Sequence, residues 1–372
     1  MTWWTVRAVA AGVVVGVLAT TVVEPSPALA DDVRAKQWHL GFLDVATAHH
    51  YSEGAGVTVA VVDTGVDGTH PDVAGNVAAG TETFIGGAGN GWTDIDGHGT
   101  AMAGLIAAHG HGPGSADGAL GIAPKATILP VRASSGGDQI TAIASGIEWA
   151  IDHGAKVISI SAGRDPTHDE QQAVQDATAH DIVVVAAVGN APEATQIVYP
   201  AAYPGVVAVA GVDQTGNHAS FSLSGSEVVL AAPAADIEST APGGRYRTGS
   251  GTSDATAIVA GAAALVRSRF PKLSAAEVIH RLTATAIDKG PKGRDPEYGY
   301  GVVNLVGALT ADVPSLSATP SAAPGGSAAS DHSETGRWLI WVWTGFGLLA
   351  VVVVAMVVAA RRRRSIVAPH AE

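Results

Sequence analysis

Not one of the 372 residues is cysteine. No disulfide can brace this chain, so its fold must rest on a packed core or on bound metal. Aromatic residues are scarce at 5%, while glycine is abundant at 46 residues. That balance suits an α/β protein with tight turns better than an all-β sandwich. Basic residues are few as well: 21 Lys and Arg face 34 Asp and Glu, for a formal charge of −13. A phosphate-binding surface needs clustered Lys and Arg, so the composition argues against nucleic acid as a partner. The Gly-x-Ser-x-Gly elbow of the α/β-hydrolases is missing. The glycine-rich stretch "GGAGNGWTDIDGHG" (86–99) lacks the lysine and the strand–loop–helix setting of a phosphate loop.

Long apolar runs occur only near the two ends. Arg7 precedes an apolar run over 8–23, and Ala28-Leu29-Ala30 supplies a small-x-small cleavage pattern, so residues 1–30 read as a signal peptide. Residues 338–360 are apolar for long enough to cross a bilayer as a helix. Trp338, Trp341 and Trp343 sit where interfacial aromatics belong, and Arg361 to Arg364 form a block that stays cytoplasmic. The expected location is the cell membrane, with one span, the globular part outside and residues 361–372 as a cytoplasmic tail. Residues 311–337, rich in Pro, Ser, Ala and Gly, cannot bury enough apolar surface to offset ordering entropy and read as a stalk. A working domain remains over residues 31–310.

Within it, short apolar runs alternate with helical patterns. The runs at 56–63, 126–133, 155–163, 181–190 and 206–212 are nearly continuous in Val, Ile and Ala, the mark of strands buried on both faces of a parallel sheet. Helical patterns start near Gly99, Asp138 and Asp169, and a further helix is expected over 253–269. The predicted fold class is therefore α/β: a doubly wound, mainly parallel sheet with helices on both faces, plus one C-terminal transmembrane helix. Functional groups in such folds gather at the carboxyl ends of strands.

Three residues sit at such places. Asp63 ends the first strand in "AVVDTGVDGTHPD"; alone it reads as a turn aspartate. His98 lies between glycines in "DIDGHGTAMAG"; alone it is a residue at a helix N-terminus. Ser253 opens a helix in "GTSDATAIVAGAAAL"; alone it is a helix cap. Together they supply what acyl transfer requires. A serine hydroxyl needs a base, and the base needs a carboxylate to orient it. The three stretches resemble, in order, the signature motifs of the subtilisin-like serine proteases.

That resemblance implies a catalytic triad of Asp63, His98 and Ser253. It implies Asn190, with the Ser253 N–H, as donors to the oxyanion. Ser161, Ala162 and Gly163 would line one side of the substrate cleft, and Ser135 and Gly136 the other, with the peptide added between them as a strand. Residues 31–56 and the single C-terminal span resemble the mycosins, membrane-anchored subtilases of type VII secretion, although mycosins commonly carry cysteines. The resemblance implies a serine endopeptidase acting on exported or cell-envelope proteins, with type VII secretion components as partners. The alternative is a catalytically weak scaffold of protease fold that stabilises a membrane secretion complex.

Three departures from the family stand out. Asp254 follows the serine, where its charge would raise the His98 pKa. Ala257 replaces a proline expected in the first helical turn, and Val188 is placed to crowd the oxyanion region. Catalysis needs no cofactor on this reading. Asp94 and Asp96 are candidates for structural calcium, but too few oxygen ligands accompany them to place a site. His49, His50, His109 and His111 read as solvent-exposed rather than metal-binding.

Overall fold

The Val- and Ile-rich runs become the strands they predict. A computed structural model describes residues 28–136 and 140–316. Its strands are β1 (Thr58–Asp63), β2 (Thr81–Glu82), β3 (His109–His111), β4 (Asp117–Leu120), β5 (Thr127–Arg132) and β6 (Val157–Ile160), followed by β7 (Val183–Ala187), β8 (Val207–Val212), β9 (Val228–Pro233), β10 (Ile237–Ala241) and β11 (Arg245–Gly249). The helices are α1 (Ala28–Lys36), α2 (Trp38–Phe42), α3 (Val45–His49), α4 (His98–Ala107), α5 (Ile143–Asp152), α6 (His168–Ala179), α7 (Thr252–Arg269), α8 (Ala275–Ala284) and α9 (Leu305–Thr310).

Seven strands form one sheet in the order β2-β5-β1-β6-β7-β8-β9, and every pair in it is parallel. The chain winds outward in both directions from β1, so the end of β1 lies beside those of β5 and β6. Successive strand residues point to opposite faces. Val59 and Val61 therefore pack with Leu105 of α4 and Ile258 of α7 in one core. Ala60 and Val62 pack with Ile143 and Ile147 of α5 in the other. Two antiparallel hairpins, β3–β4 and β10–β11, lie outside this sheet.

Helix α7 is buried along almost its whole length, which its run of Ala and Gly makes feasible. A Cβ on Gly261 would stand 2.7 Å from Cβ of Ile122. The glycine costs about 1 kcal/mol of helix propensity relative to alanine, and in return the helix lies close against the chain that follows α4.

Residues 31–56 pack as α1 to α3 against the domain. Arg34 donates to the carbonyls of Ser115, Asp117 and Gly118 around the β3–β4 hairpin. Gln37 bridges Leu120 and the carbonyl of Glu238, and the Trp38 indole donates to the carbonyl of Ala235 at 3.0 Å. Helix α1 begins at Ala28, inside the expected signal peptide.

Of the remaining expectations, α5 begins at Ile143 rather than near Asp138, and 137–139 lie outside the described residues. So do residues 1–27, residues 317–337 of the stalk, the span at 338–360 and the tail at 361–372. Among the described residues no helix is long and apolar enough to cross a membrane.

Candidate active site

Asp63 is the last residue of β1 and is 1% exposed. Its Oδ1 accepts from its neighbour's backbone, Thr64 N–H, at 2.8 Å and stands 2.7 Å from Nδ1 of His98. His98 opens α4, whose cap is Gly97 in the left-handed region at φ 96°. Gly99 lets the helix start this close to β1: a Cβ there would fall 2.1 Å from the Gly65 carbonyl oxygen and 3.1 Å from Oδ1 of Asp63.

Asp94 locks the same turn. Its Oδ1 accepts from Thr64 Oγ1 at 2.9 Å and Gly97 N–H at 2.8 Å. Its Oδ2 accepts from the Thr100 N–H and hydroxyl at 2.8 and 2.5 Å. Asp96 accepts from the His98 N–H at 3.2 Å. Both acids, candidates for calcium by sequence, are thus engaged in fixing the start of α4. Among the described residues no cluster of three or more His, Asp or Glu is arranged to hold a metal ion.

Ser253 lies one residue inside α7, which is capped by the extended Gly251 without any side-chain bond. The serine is therefore not the helix cap. As a first-turn residue it has a backbone N–H without an intrahelical acceptor. Its hydroxyl donates to the Ser161 carbonyl at 3.3 Å, and Ser161 Oγ returns a bond to the Ser253 carbonyl at 3.2 Å. In this structure the hydroxyl is thus bonded to Ser161.

Asn190 lies beyond the end of β7. Its Oδ1 accepts from the Thr252 N–H at 2.9 Å and from the Thr252 hydroxyl at 3.1 Å. With the oxygen engaged there, the amide NH₂ is the end left to donate into the cleft. Thr252 also receives the Gly189 N–H at 3.3 Å. The sequence points to Thr252 only as a small neighbour of the serine; its role as the anchor of Asn190 appears once the two loops meet.

His98, Asn190, Ser253 and Ser161, Ala162 and Gly163 line one cleft of about 930 Å³. Ser135 and Gly136 are exposed and outside that lining, which includes Ile140 and Thr141 from the same loop. Val188 does not crowd the site, because its side chain is fully buried in the α5–α6 core. Ala257 belongs to the second turn of α7, not the first, since the helix starts at Thr252. None of residues 31–56 reaches the cleft lining.

The charges around the imidazole act in opposite directions. Burial would lower the His98 pKa, but the adjacent Asp63 charge and hydrogen bond, with a contribution from Asp254, outweigh burial and the opposing Arg247 charge, leaving it raised. Asp254 is 2% exposed. Burial raises its carboxyl, the charges of Arg247 and His98 oppose that rise, and the result is pushed up to about 6. Arg247 of β11 approaches it from Nη2 at 3.5 Å.

Of the four histidines expected to be solvent-exposed, His49, His50, His109 and His111, only His50 is. His49 bonds the Ile122 carbonyl at 3.0 Å, His109 bonds those of Gly110 and Ala74, and His111 pairs with buried Asp72 at 2.6 Å. Each half-buried ring holds a loop in place.

Known proteins share this arrangement of fold and sequence. A profile described as "Subtilase family" matches residues 54–301. Subtilisin DY of Bacillus licheniformis is 40% identical over 259 residues, which cover 68% of this chain and 90% of the relative. Subtilisin Savinase of Lederbergia lenta is 40% identical over 271 residues, 72% of this chain and 96% of the relative. Among solved structures, MycP1 from Mycobacterium smegmatis aligns at TM-score 0.67 and 32% identity over 74% of this chain and 85% of that one. The MycP3 protease from the type VII (ESX-3) secretion system aligns at TM-score 0.62 and 34% identity, over 74% of this chain and 88% of that one.

Proposed function

Because the chain belongs to the subtilase family of serine proteases, we propose that its endopeptidase chemistry runs through Asp63, His98 and Ser253. The observation carrying this reading is the 2.7 Å contact between buried Asp63 and His98 Nδ1, at the edge of a cleft that Ser253 shares. A carboxylate on Nδ1 holds the proton there and leaves Nε2 as the base. The Ser253 hydroxyl turns from Ser161 to Nε2, gives up its proton and attacks the peptide carbonyl. The oxyanion that forms accepts hydrogen bonds from the Asn190 amide and the Ser253 N–H. His98 then delivers the proton to the departing amine nitrogen, leaving an acyl-enzyme. Water, deprotonated by the same imidazole, releases the acid and restores the serine. Side chains and backbone carry every step.

The substrate is an extended segment of an exported or cell-envelope protein, laid as an added strand along residues 161–163. The terminal segments of the sequence support a tether on the outer face of the cell membrane. The similarity to MycP1 and MycP3 supports a place beside type VII secretion components. A second reading, a weakly catalytic scaffold in such a complex, is favoured by one contact: the hydroxyl faces Ser161 at 3.3 Å. Labelling the full chain with a fluorophosphonate separates the two. Labelling lost in Ser253→Ala and weakened in His98→Ala is the expected result. A folded wild-type chain that stays unlabelled overturns the catalytic reading in favour of the scaffold.

A further inference from the structure

The cleft walls part beyond two neighbouring strands. β6 and β7 run in register, with Ile160 beside Ala186. Their continuations, 161–163 from one and Ala187, Gly189 and Asn190 from the other, then line the cleft. A third segment is fastened across the gap. The Val198 N–H donates to the Val188 carbonyl at 3.2 Å, and Tyr199 and Arg164 exchange backbone hydrogen bonds of 3.1 Å each. The Val198 side chain stands between the walls. A Cβ on Gly163 would meet one Val198 methyl at 2.1 Å, and a Cβ on Gly189 would meet the other at 3.3 Å. Val198 is only half-buried, and its open side faces the cleft.

The position of the nucleophile decides what enters this gap. Ser253 Oγ lies against Ser161 on one wall, and Asn190 ends the other. A carbonyl attacked by Ser253, with its oxygen toward Asn190, belongs to a residue whose side chain is directed between the two walls. We propose that Val198 forms the floor of the pocket for that residue and restricts it to glycine, alanine or serine. The proposal rests on the Ser253 mechanism above. Selection is by size: the small Ala162, Gly163, Ala187 and Gly189 line the gap, and its floor is a branched methyl pair.

Peptidyl phosphonate aryl esters test this on the full chain. Ser253 Oγ forms a bond to phosphorus and phenoxide leaves, so reaction needs only an activated serine. The ester carrying an alanine side chain should inactivate the wild type on the order of 10- to 200-fold faster than its phenylalanine counterpart, the range for added bulk in an apolar pocket. Val198→Gly should narrow or invert that ratio, and the milder Val198→Ala should move it the same way. Val198→Ile should favour glycine over alanine. The proposal fails if wild type reacts equally with both esters. It also fails if both smaller variants keep the wild-type ratio while still accepting fluorophosphonate. Should the folded wild type react with neither class of reagent, the Ser253 reading itself falls, and this inference with it.

Discussion

The first turns of α4 and α7 face one cleft, yet they are built differently. At α4, Asp94 binds four donors at 2.5–2.9 Å, and Asp63 meets His98 at 2.7 Å. At α7 the Thr252 N–H and hydroxyl hold Asn190 at 2.9 and 3.1 Å, but the side chains next to them are held at longer range. Ser253 and Ser161 exchange contacts of 3.3 and 3.2 Å, and Arg247 reaches Asp254 at 3.5 Å. The base and its orienting acid are fixed before substrate arrives, whereas the nucleophile is held by long contacts that one side-chain rotation breaks. Hydrogen bonds that tighten only in the substrate complex are ordinary for a catalytic group. The comparison locates the rigid half of the site on β1 and α4 and the adjustable half on α7.

Three substitutions probe that division in turn. Asp63→Asn strikes the rigid half: it keeps the shape but favours the wrong imidazole tautomer, and kcat should fall by about 10⁴-fold with KM nearly unchanged in a peptide assay. Asn190→Ala removes a donor that matters only as charge develops, so kcat should fall by roughly 10²–10³, a size already established for a subtilisin's asparagine donor. Thr252→Val removes the hydroxyl's bond to Asn190 and its long 3.3 Å contact from the Gly189 N–H, and leaves the Thr252 N–H bond in place. Its loss should be about 2- to 12-fold in kcat, the worth of a single hydrogen bond, and Thr252→Ser should restore most of it. An equal loss for Asn190→Ala and Thr252→Val would mean that the hydroxyl, not the backbone bond, positions the amide.

The parts of the molecule legible in the sequence are those with a local cause. Val/Ile runs require burial on both faces, so β1, β5, β6, β7 and β8 could be read directly, as could the ends where Asp63 and Asn190 sit. Strand β9 and the hairpin β10–β11 were not foreseen. The exposed, charged "RYRTG" of β11 pairs with β10 and carries no burial signal of its own. The cleft wall is legible only in part: Ile140 and Thr141 line the cleft, and nothing in their local sequence marks them out from the loop around Ser135 and Gly136. Val188 shows the same limit. Its position beside Asn190 suggested crowding, but alternation along the strand direction sends its side chain into the core. Long-range partners such as Val198 with Gly163, or Arg247 with Asp254, leave no periodic trace.

The smallest effect concerns Arg247 and Asp254, and it tests whether the adjustable half tunes the rigid one. Three charged groups act on His98: Asp63, Asp254 and Arg247. The imidazole works as a base only when neutral, so kcat/KM rises with pH through its pKa, and its raised pKa places that acid limb above the ordinary histidine value. Asp254 is ionised once pH exceeds about 6 and then favours the imidazolium. Asp254→Asn should therefore shift the acid limb to lower pH. Arg247→Met removes a charge that disfavours the imidazolium, and the limb should shift to higher pH. The opposed signs are the diagnostic, because a loss of packing in either variant would lower the plateau without moving the two limbs apart. If both limbs stay on the wild-type profile, the pair serves only to keep the buried carboxylate of α7 in place, and the base on α4 is set by Asp63 alone.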